Sequence, residues 1–310
     1  MKHPSKRPGI SHLILKSKLK IAVLGGGSWG TALIKILTHN KRNVGWYIRN
    51  PINADFVKKY AHNPNYLSAA NLNTRRLKVS SDINQVVSEA DVLILAIPSA
   101  FLSSELEKLD PIDDKIIFSA VKGVVPESML IVGEHLNKKF NVPLEKIGVI
   151  VGPSHAEEIA MERLSYLTVA CVENKLAKAI AAMLKTTYIR TTISNDIMGT
   201  EYASMLKNIY AIASGIAHAL GYGDNFQSVL MSNAIREMKR FIKDVYKMKR
   251  NINNSAYLGD LLVTGYSVFS GNRTFGSMIG KGYSIKEEKM DCESITSGFL
   301  ERINRYDEIS

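Results

Sequence analysis

Three glycines near the N-terminus constrain the fold of this chain more than any other feature. Gly25, Gly27 and Gly30 have the spacing G-x-G-x-x-G, between an apolar run at 21–24 and a helical stretch at 31–37. In such a loop the first glycine permits a tight turn, the second lets the backbone approach a pyrophosphate, and the third lets helix and strand pack closely. The helix N-terminus adds free N–H groups and a partial positive charge. We therefore predict a dinucleotide-binding loop at the start of a β-α-β unit.

Short apolar runs alternate with helical patterns from about residue 20 to residue 193, which predicts an α/β fold with a doubly wound, Rossmann-type sheet. The predicted buried parallel strands are Ile21–Leu24, Val44–Ile48, Val92–Ile97, Ile116–Ser119, Ile147–Val151 and Leu167–Val172. A more polar run, Tyr188–Ile193, is typical of an edge strand. The predicted helices include Thr31–Thr38, Ser99–Leu109, Glu127–Lys139 and Lys175–Leu184.

The predicted strands stop at about residue 194. Met198–Leu220 is apolar at helical spacing, Asn225–Met248 is amphipathic, and short helical pieces separated by glycines follow. We predict a basic flexible tail over 1–19, a dinucleotide-binding domain over 20–193 and an all-α substrate-binding domain over 194–310. Ligands usually bind in the cleft at such a boundary.

The net charge of +11 is concentrated in two segments. Residues 1–20 contain six basic and no acidic residues, and 235–250 contains seven basic against two acidic, so the remainder is neutral. Lys239, Lys243 and Lys247 would share one helical face. We interpret that face as solvated surface, with attraction of an anion as the alternative. No basic motif with interleaved aromatic residues is present, and we expect no nucleic-acid partner.

The sequence has no apolar stretch long enough to cross a bilayer and no apolar N-terminal signal. We therefore expect a cytoplasmic protein without an integral membrane segment. Cys171 and Cys292 are far apart and fit no metal-ligand spacing, which favours reduced thiols and no bound metal.

Arg49 follows the second predicted strand, in Trp46-Tyr47-Ile48-Arg49-Asn50. A carboxylate at this position would bind the ribose 2′-hydroxyl of NAD. A guanidinium instead suits the 2′-phosphate of NADP. NADP is therefore favoured, NAD stays open, and a solvated residue at the strand end is the structural alternative.

Three polar segments fall where the predicted cleft would lie. Lys122 follows a buried strand, and the carboxyl edge of an open α/β sheet lines its crevice. Ser154, in Gly152-Pro153-Ser154-His155-Ala156-Glu157-Glu158, follows the next strand and is predicted to cap a helix. Lys207 lies inside the apolar helix of the second half, where burying a lysine is costly unless it is paired or used.

Lys207 is the candidate proton donor and acceptor. Burial and a nearby cation both lower a lysine pKa from about 10.4, and Lys122 opposite Lys207 would provide the cation. Asp260 would hold the ammonium in place, and it shares a helical face with Thr264. From spacing alone the alternative stays open that Lys207 extends to solvent and that Asp260 caps a helix.

Six segments, read in order, carry a resemblance to a known family. They are Gly25–Gly30 with Trp29, Val121-Lys122-Gly123, Gly152-Pro153-Ser154-His155-Ala156, Leu206-Lys207-Asn208, Gly259-Asp260-Leu261 and Asn272-Arg273-Thr274-Phe275-Gly276. From about residue 20 to about residue 290 the chain closely resembles the bacterial NAD(P)-dependent glycerol-3-phosphate dehydrogenases. The resemblance implies reversible reduction of dihydroxyacetone phosphate to sn-glycerol 3-phosphate for phospholipid synthesis, by a cytoplasmic homodimer.

The resemblance also implies roles for individual residues. Lys207 matches the general acid/base, Lys122 a lysine that touches both substrate and cofactor, and Asp260 a substrate-binding acid beside the catalytic lysine. The cofactor-contacting positions are matched by Gly25, Gly27, Ser28, Trp29, Gly30, Arg49, Tyr66, Lys122 and Ala156. The substrate-contacting positions are matched by Lys122, Gly152, Ser154, Lys207, Asp260, Ser270, Gly271 and Asn272.

The chain departs from the family pattern at three places. Gly271 stands where the family has the arginine expected to hold the substrate phosphate, and Arg273 is two positions further on. Ser297 precedes Gly298 where the family has a cofactor-contacting glutamate, and the sequence ends at Ser310, before the family's usual final helices. A related 3-hydroxy-acid dehydrogenase and a catalytically impaired dinucleotide-binding relative are therefore the alternatives.

Overall fold

The computed structural model describes residues 19–283. In that part of the chain eight strands form one sheet and two form a short hairpin. The sheet strands are β1 (Ile21–Leu24), β2 (Val44–Tyr47), β3 (Leu77–Ser80), β4 (Val92–Leu95), β5 (Ile116–Ser119), β8 (Ile147–Val151), β9 (Ser165–Cys171) and β10 (Ile189–Ser194). The hairpin strands are β6 (Val124–Val125) and β7 (Leu130–Ile131).

Helices connect most of the strands and dominate the described chain after Ser194. Those within the sheet region are α1 (Ser28–His39), α2 (Pro51–Tyr60), α3 (Ile83–Ser88), α4 (Ser99–Leu106), α5 (Val132–Phe140), α6 (Ala156–Ala160) and α7 (Asn174–Leu184), with 3-10 turns at Thr74–Arg76 and Leu144–Lys146. Those that follow are α8 (Ile197–Ala219), α9 (Asp224–Val245), a π-helical turn (Ser255–Gly259), α10 (Asp260–Tyr266) and α11 (Gly271–Gly280).

The sheet order is β10-β9-β8-β5-β4-β1-β2-β3. β1 pairs in parallel with both β2 and β4, so the progression of the chain along the sheet reverses beside β1. In open α/β sheets ligands bind in the crevice outside the carboxyl ends of the strands at such a switch point. The predicted doubly wound α/β fold followed by helices is confirmed.

The prediction that the strand at 167–172 is parallel to its neighbour was wrong. β9 pairs antiparallel with β8, whereas β10 pairs parallel with β9 at the sheet edge, as predicted for an edge strand. A parallel crossover needs about a dozen residues, usually with a helix that returns along the sheet. The only helix between β8 and β9 is α6, which has five residues and spans about 7.5 Å at the usual rise per residue, so it does not return the chain across the sheet.

Three local predictions also need correction. The helix predicted over 127–139 begins only at Val132, because part of the preceding stretch forms the hairpin β6–β7. Strand β3 and helices α2 and α3 were not predicted. Helix α9 ends at Val245, so Lys247 lies beyond the helix and does not share its face with Lys239 and Lys243.

The basic segment 235–250 is not a uniform surface patch. Lys239 and Lys243 are exposed on α9, but the side chain of Arg250 is 6% exposed and forms an ion pair with Asp196. The other basic segment belongs mostly to residues 1–18, which are outside the described residues.

Within the described residues no helix combines the length and apolar character needed to cross a bilayer.

Side-chain alternation along β1 divides the core of the sheet region. Ile21 and Val23 belong to a cluster on one face, and Ala22 and Leu24 belong to a cluster on the other. A third cluster joins β8 to the C-terminal helices, with Leu206 of α8 among its members. Helix α8 is therefore anchored on the sheet, one residue before Lys207.

The far end of α8 packs closely against α11. A Cβ atom at Gly215 would lie 2.0 Å from the backbone oxygen of Arg273, and one at Gly276 would lie 2.0 Å from the backbone oxygen of Ile212. Glycine is required at both positions because the two helix backbones approach too closely for any side chain. This contact fixes the position of the N-terminus of α11 relative to α8.

Candidate active site

A cavity of about 1030 Å³ opens at the carboxyl ends of β1, β2 and β4 and extends to α8, α10 and α11. Most of the predicted site residues line it together. These are Gly25, Gly27, Ser28, Trp29, Arg49, Tyr66, Lys122, Ser154, Ala156, Lys207, Asp260, Ser270, Gly271 and Asn272. Gly30 and Gly152 are buried and do not line the cavity.

The glycine loop has the geometry needed to hold a pyrophosphate. Gly25 has φ +129, and a Cβ atom there would lie 2.4 Å from the Ala96 oxygen. A Cβ atom on Gly30 would lie 2.1 Å from the Gly25 oxygen, so Gly30 allows α1 to pack against the loop. Gly27 lines the cavity, and a Cβ atom there would have no protein atom within 4 Å, so space is left for a ligand beside the backbone. No side chain caps the N-terminus of α1 at Gly27, and a dinucleotide phosphate fits these free N–H groups.

Two side chains that the sequence reasoning missed hold this loop in place. Trp46 donates a hydrogen bond from Nε1 to the Gly25 oxygen at 2.9 Å. The side-chain amide of Asn63, which is 2% exposed, donates to the Gly26 oxygen at 2.9 Å and accepts from the backbone N–H of Tyr66 at 3.2 Å. The Asn63-Pro64 dipeptide is a turn signal that would have drawn attention to this position.

Arg49 reaches the cavity from the carboxyl end of β2, as predicted. Its side chain is 65% exposed, and its guanidinium lies 5.5 Å from the centre of the Phe101 ring. Arg49 Nη1 also lies 3.9 Å from Oε1 of Glu105, a carboxylate on α4 that the sequence reasoning missed. Because Glu105 lies on another element, nothing in the sequence near Arg49 indicates this neighbour.

Lys207 and Asp260 meet at the opposite end of the cavity. Lys207 Nζ donates to Asp260 Oδ1 at 2.5 Å, and the two side chains are 3% and 2% exposed. Thr264 lies one turn further along α10, and its hydroxyl donates to the backbone oxygen of Asp260. The predicted pairing of Lys207 with Asp260 is therefore present, on helices that are far apart in the sequence.

The pKa of Lys207 is lowered to about 7, chiefly by burial; the Asp260 carboxylate raises this pKa, and the nearby Lys122 ammonium lowers it. Lys122 itself lies over the Trp29 ring, with Nζ 5.5 Å from the ring centre. A lysine with a pKa near neutrality can both give and take a proton. Lys122 thus connects the cofactor loop to the acid/base residue.

His155 is a further residue of this cavity that was not assigned a role. Burial, followed by the charges of Lys122 and Lys207, lowers the pKa of its imidazole to about 4, so the ring is neutral at physiological pH. It adds no positive charge to the site. Its neighbour Ser154 was predicted to cap a helix and does not, because its hydroxyl donates to the Gly152 oxygen at 2.9 Å and no side chain caps α6.

The N-terminus of α11 forms the remaining wall. Ser270 is its N-cap and accepts a hydrogen bond from the backbone N–H of Arg273 at 3.3 Å. Gly271 and Asn272 line the cavity in the first turn, whereas Arg273 does not. Successive helical residues are rotated by about 100°, so a side chain two positions after Gly271 points to the other side of the helix. Arg273 therefore does not replace an arginine at position 271, and Ser297 is outside the described residues.

Several buried polar atoms around the cavity have no hydrogen-bond partner within the described residues. They are Trp29 Nε1, His155 Nε2, Asp260 Oδ2 and Asn272 Oδ1, and all four residues line the cavity. An unsatisfied buried polar group costs about 1–3 kcal/mol. Their concentration on one cavity is typical of a binding site for a polar ligand.

Two family models match the chain. The model of the NAD-dependent glycerol-3-phosphate dehydrogenase N-terminus matches residues 20–177, and that of the C-terminus matches residues 196–304. A relative from Lacticaseibacillus paracasei named glycerol-3-phosphate dehydrogenase [NAD(P)+] is 33% identical, over 90% of this chain and 82% of its own length. One of the same name from Macrococcus caseolyticus is 30% identical, over 90% and 85%.

Solved structures agree with these matches. The crystal structure of a glycerol-3-phosphate dehydrogenase from Coxiella burnetii aligns with a TM-score of 0.82 and 26% identity, covering 94% of this chain and 89% of that one. A Plasmodium falciparum glycerol-3-phosphate dehydrogenase aligns with a TM-score of 0.80 at 23% identity, covering 92% and 84%, and shows the same fold. Both halves of the chain therefore lead to one conclusion: it belongs to the NAD-dependent glycerol-3-phosphate dehydrogenase family.

Proposed function

We propose that this protein catalyses the reversible NAD(P)-dependent reduction of dihydroxyacetone phosphate to sn-glycerol 3-phosphate, which is used for phospholipid synthesis. The observation that carries the proposal is the buried Lys207–Asp260 pair beside Lys122, in the same cavity as the glycine loop. Family membership supplies the substrate class, and the cavity supplies residues suited to the chemistry.

The loop end of the cavity would hold the dinucleotide. Gly27 and Ser28 offer backbone N–H groups to the pyrophosphate, whereas the N–H of Gly25 donates to the Tyr47 oxygen at 3.1 Å and Gly25 forms the tight turn. Trp29, Tyr66 and Ala156 contribute further surfaces of the cavity. Bound NAD(P)H supplies a hydride for reduction, and NAD(P)⁺ accepts one in the reverse direction. Arg49 at the end of β2 favours binding of a 2′-phosphate.

Lys207 would act as the general acid in the reduction. As the substrate carbonyl becomes an alkoxide at C2, Lys207 Nζ gives its proton to that oxygen and becomes a neutral amine. In the oxidation the neutral amine takes the C2 hydroxyl proton. Lys122 would place a positive charge near the developing oxyanion and orient both ligands, and Asp260 would hold Lys207 in position.

The substrate phosphate would bind at the N-terminus of α11. Ser270 and Asn272 provide polar groups there, and backbone N–H groups of the first turn add a partial positive charge. Gly271 leaves this end without the guanidinium that the family pattern predicts. That substitution favours a second candidate function, in which the protein binds the dinucleotide but turns over dihydroxyacetone phosphate slowly or not at all.

The domain boundary, the oligomeric state and the location of the protein belong to the same proposal. The boundary between the dinucleotide-binding and substrate-binding domains would lie between β10 and α8, where the strands end and the helices begin. The family resemblance supports a homodimer in the cytoplasm. Light scattering coupled to size-exclusion chromatography tests the dimer, which would appear at twice the 34.4 kDa mass of the chain.

A direct assay tests the proposed activity. The full chain is mixed with dihydroxyacetone phosphate and NADPH or NADH, and the absorbance of the reduced cofactor is followed. We expect turnover that falls by about a hundredfold or more in Lys207→Ala, since a general acid contributes a factor of this order. Cofactor binding without turnover, in both the wild type and Gly271→Arg, would overturn the proposal in favour of the second candidate.

A further inference from the structure

Glu105 is a buried carboxylate in the part of the cavity that the mechanism does not use. It lies on α4, is 3% exposed and lines the cavity next to Phe101 and Arg49. Acidic side chains are almost never buried to this extent unless they are paired. Its charge therefore acts on whatever binds at this end of the cavity.

The contacts of Glu105 keep it ionised. Oε2 accepts a hydrogen bond from the Tyr47 hydroxyl at 2.6 Å, and Oε1 accepts one from Lys108 Nζ at 2.7 Å. Burial alone would raise the pKa of Glu105, but the hydrogen bonds from Lys108 and Tyr47 and the charges of Lys108 and Arg49 hold it below its ordinary value. Glu105 thus carries a negative charge at neutral pH.

That charge is placed where NADH and NADPH differ. The carboxyl end of β2, where Tyr47 and Arg49 lie, is the part of a dinucleotide-binding sheet that meets the adenosine ribose. In NAD-binding sheets an acid at this strand end binds the 2′-hydroxyl. Here the strand end carries Arg49, and the acid is supplied from α4 with its oxygen 3.9 Å from the guanidinium.

We propose that Glu105 is a specificity-determining residue that weakens the binding of NADPH relative to NADH. Its negative charge offsets that of Arg49 and repels a 2′-phosphate, which NADH lacks. Lys108, with its ammonium on the same carboxylate, reduces this repulsion. Arg49 alone would favour NADPH. With Glu105 beside it, the site discriminates less between the two cofactors. The inference rests on the proposed function in placing the cofactor ribose at the end of β2.

The test compares dissociation constants of NADPH and NADH for the full chain without substrate, from the fluorescence of the reduced nicotinamide. Glu105→Gln keeps the shape and one acceptor oxygen, which can serve Tyr47 or Lys108, but removes the charge. We expect the ratio of the two constants to shift about fivefold toward NADPH, as for one charge acting across several ångströms near the protein surface. Glu107→Gln, two residues further along and outside the cavity lining, should leave the ratio unchanged.

Replacing Lys108, the partner of Glu105, tests the proposal in the opposite direction. Lys108→Met leaves Glu105 less compensated, so the ratio should move toward NADH by about threefold. Lys139→Met, which removes the partner of Glu107, is its matched control. The proposal is overturned if Glu105→Gln leaves the ratio unchanged or if Glu107→Gln shifts it equally. Should Glu105→Gln fail to fold, equal effects of Lys108→Met and Lys139→Met would overturn it. Because no turnover is measured, failure of the catalytic assay does not affect this result.

Discussion

Lys207 and Asp260 form a buried ion pair in which Lys207 Nζ lies 2.5 Å from Asp260 Oδ1. The two side chains are 3% and 2% exposed. The second carboxylate oxygen, Oδ2, has no hydrogen-bond partner within the described residues. One oxygen of Asp260 therefore holds the lysine, and the other has unused capacity to accept a hydrogen bond. A substrate hydroxyl beside Lys207 would satisfy it.

Asp260→Asn should reduce kcat for dihydroxyacetone phosphate reduction by about tenfold or more, since the amide orients Lys207 but no longer stabilises its ammonium form. Steady-state kinetics with saturating cofactor measure the effect. Asp244→Asn, which removes an exposed acid on α9, is the control and should retain wild-type rates. Equal kcat values in Asp260→Asn and the wild type would show that the pair has no part in proton transfer.

The two reaction directions should respond oppositely to pH, because burial lowers the pKa of Lys207 to about 7. Reduction needs the protonated lysine, so its rate should fall as pH rises through about 7. Oxidation of sn-glycerol 3-phosphate needs the neutral amine and should speed up over the same interval. Asp260 raises this pKa, so Asp260→Asn should move both midpoints to lower pH. A midpoint that Asp260→Asn leaves in place would assign the titration to another group.

Gly271→Arg should lower the KM for dihydroxyacetone phosphate by about tenfold, since a guanidinium beside a phosphate dianion forms a strong charge-assisted hydrogen bond. Gly271 is exposed at the start of α11 and lines the cavity. Gly271→Ala is the matched control and should not change KM. If the arginine variant behaves like the alanine variant, the phosphate does not bind at this end of α11.

Asp196→Asn should reduce the free energy of unfolding by about 3 kcal/mol, because it leaves Arg250 buried without its counter-charge. Asp196 also accepts hydrogen bonds from the Tyr257 hydroxyl and the Gly199 backbone. Burial raises the pKa of Asp196, but the hydrogen bond from Arg250 and the others hold it below its ordinary value.

The stabilisation by Asp196 should therefore be complete above the pKa of an unfolded aspartate and be lost as pH falls through the lower folded value. Urea unfolding of the wild type and Asp196→Asn at pH 7 and at pH 3 measures this. The difference in stability between them should shrink at the lower pH. Asp110→Asn, on an exposed loop, serves as the comparison and should unfold like the wild type at both values.

The glycine loop and the alternation of elements were predictable because their determinants are local in the sequence. Strand direction is different: β9 is nearly as buried as β8, and its antiparallel pairing follows from the five-residue helix α6 in the connection, which is too short to return the chain across the sheet. Strand β3 was missed because Leu77–Ser80, although it alternates apolar and polar residues, is only four residues long, the shortest run in which alternation indicates a strand.

In the candidate site, too, residues with a local sequence signal were predicted and residues that depend on distant contacts were missed. Lys122, Lys207 and Asp260 were found because a lysine in an apolar helix and polar residues after buried strands are unusual in a sequence. Glu105 looks like any helix acid until α4 is placed beside β2. Asn63 looks like an ordinary turn residue until its amide contacts the Gly26 oxygen. Both are buried by residues distant in the sequence.

Helix α8 contacts the sheet near Leu206, carries Lys207, and meets α11 at Gly215. Each residue inserted or deleted between Lys207 and Gly215 would rotate one contact by about 100° relative to the other and shift it by about 1.5 Å. Lys207 could not then remain in the cavity while Gly215 keeps its contact with α11. We expect length changes in relatives of this chain to fall in the turn between α8 and α9 and to be absent from the seven residues that separate Lys207 from Gly215.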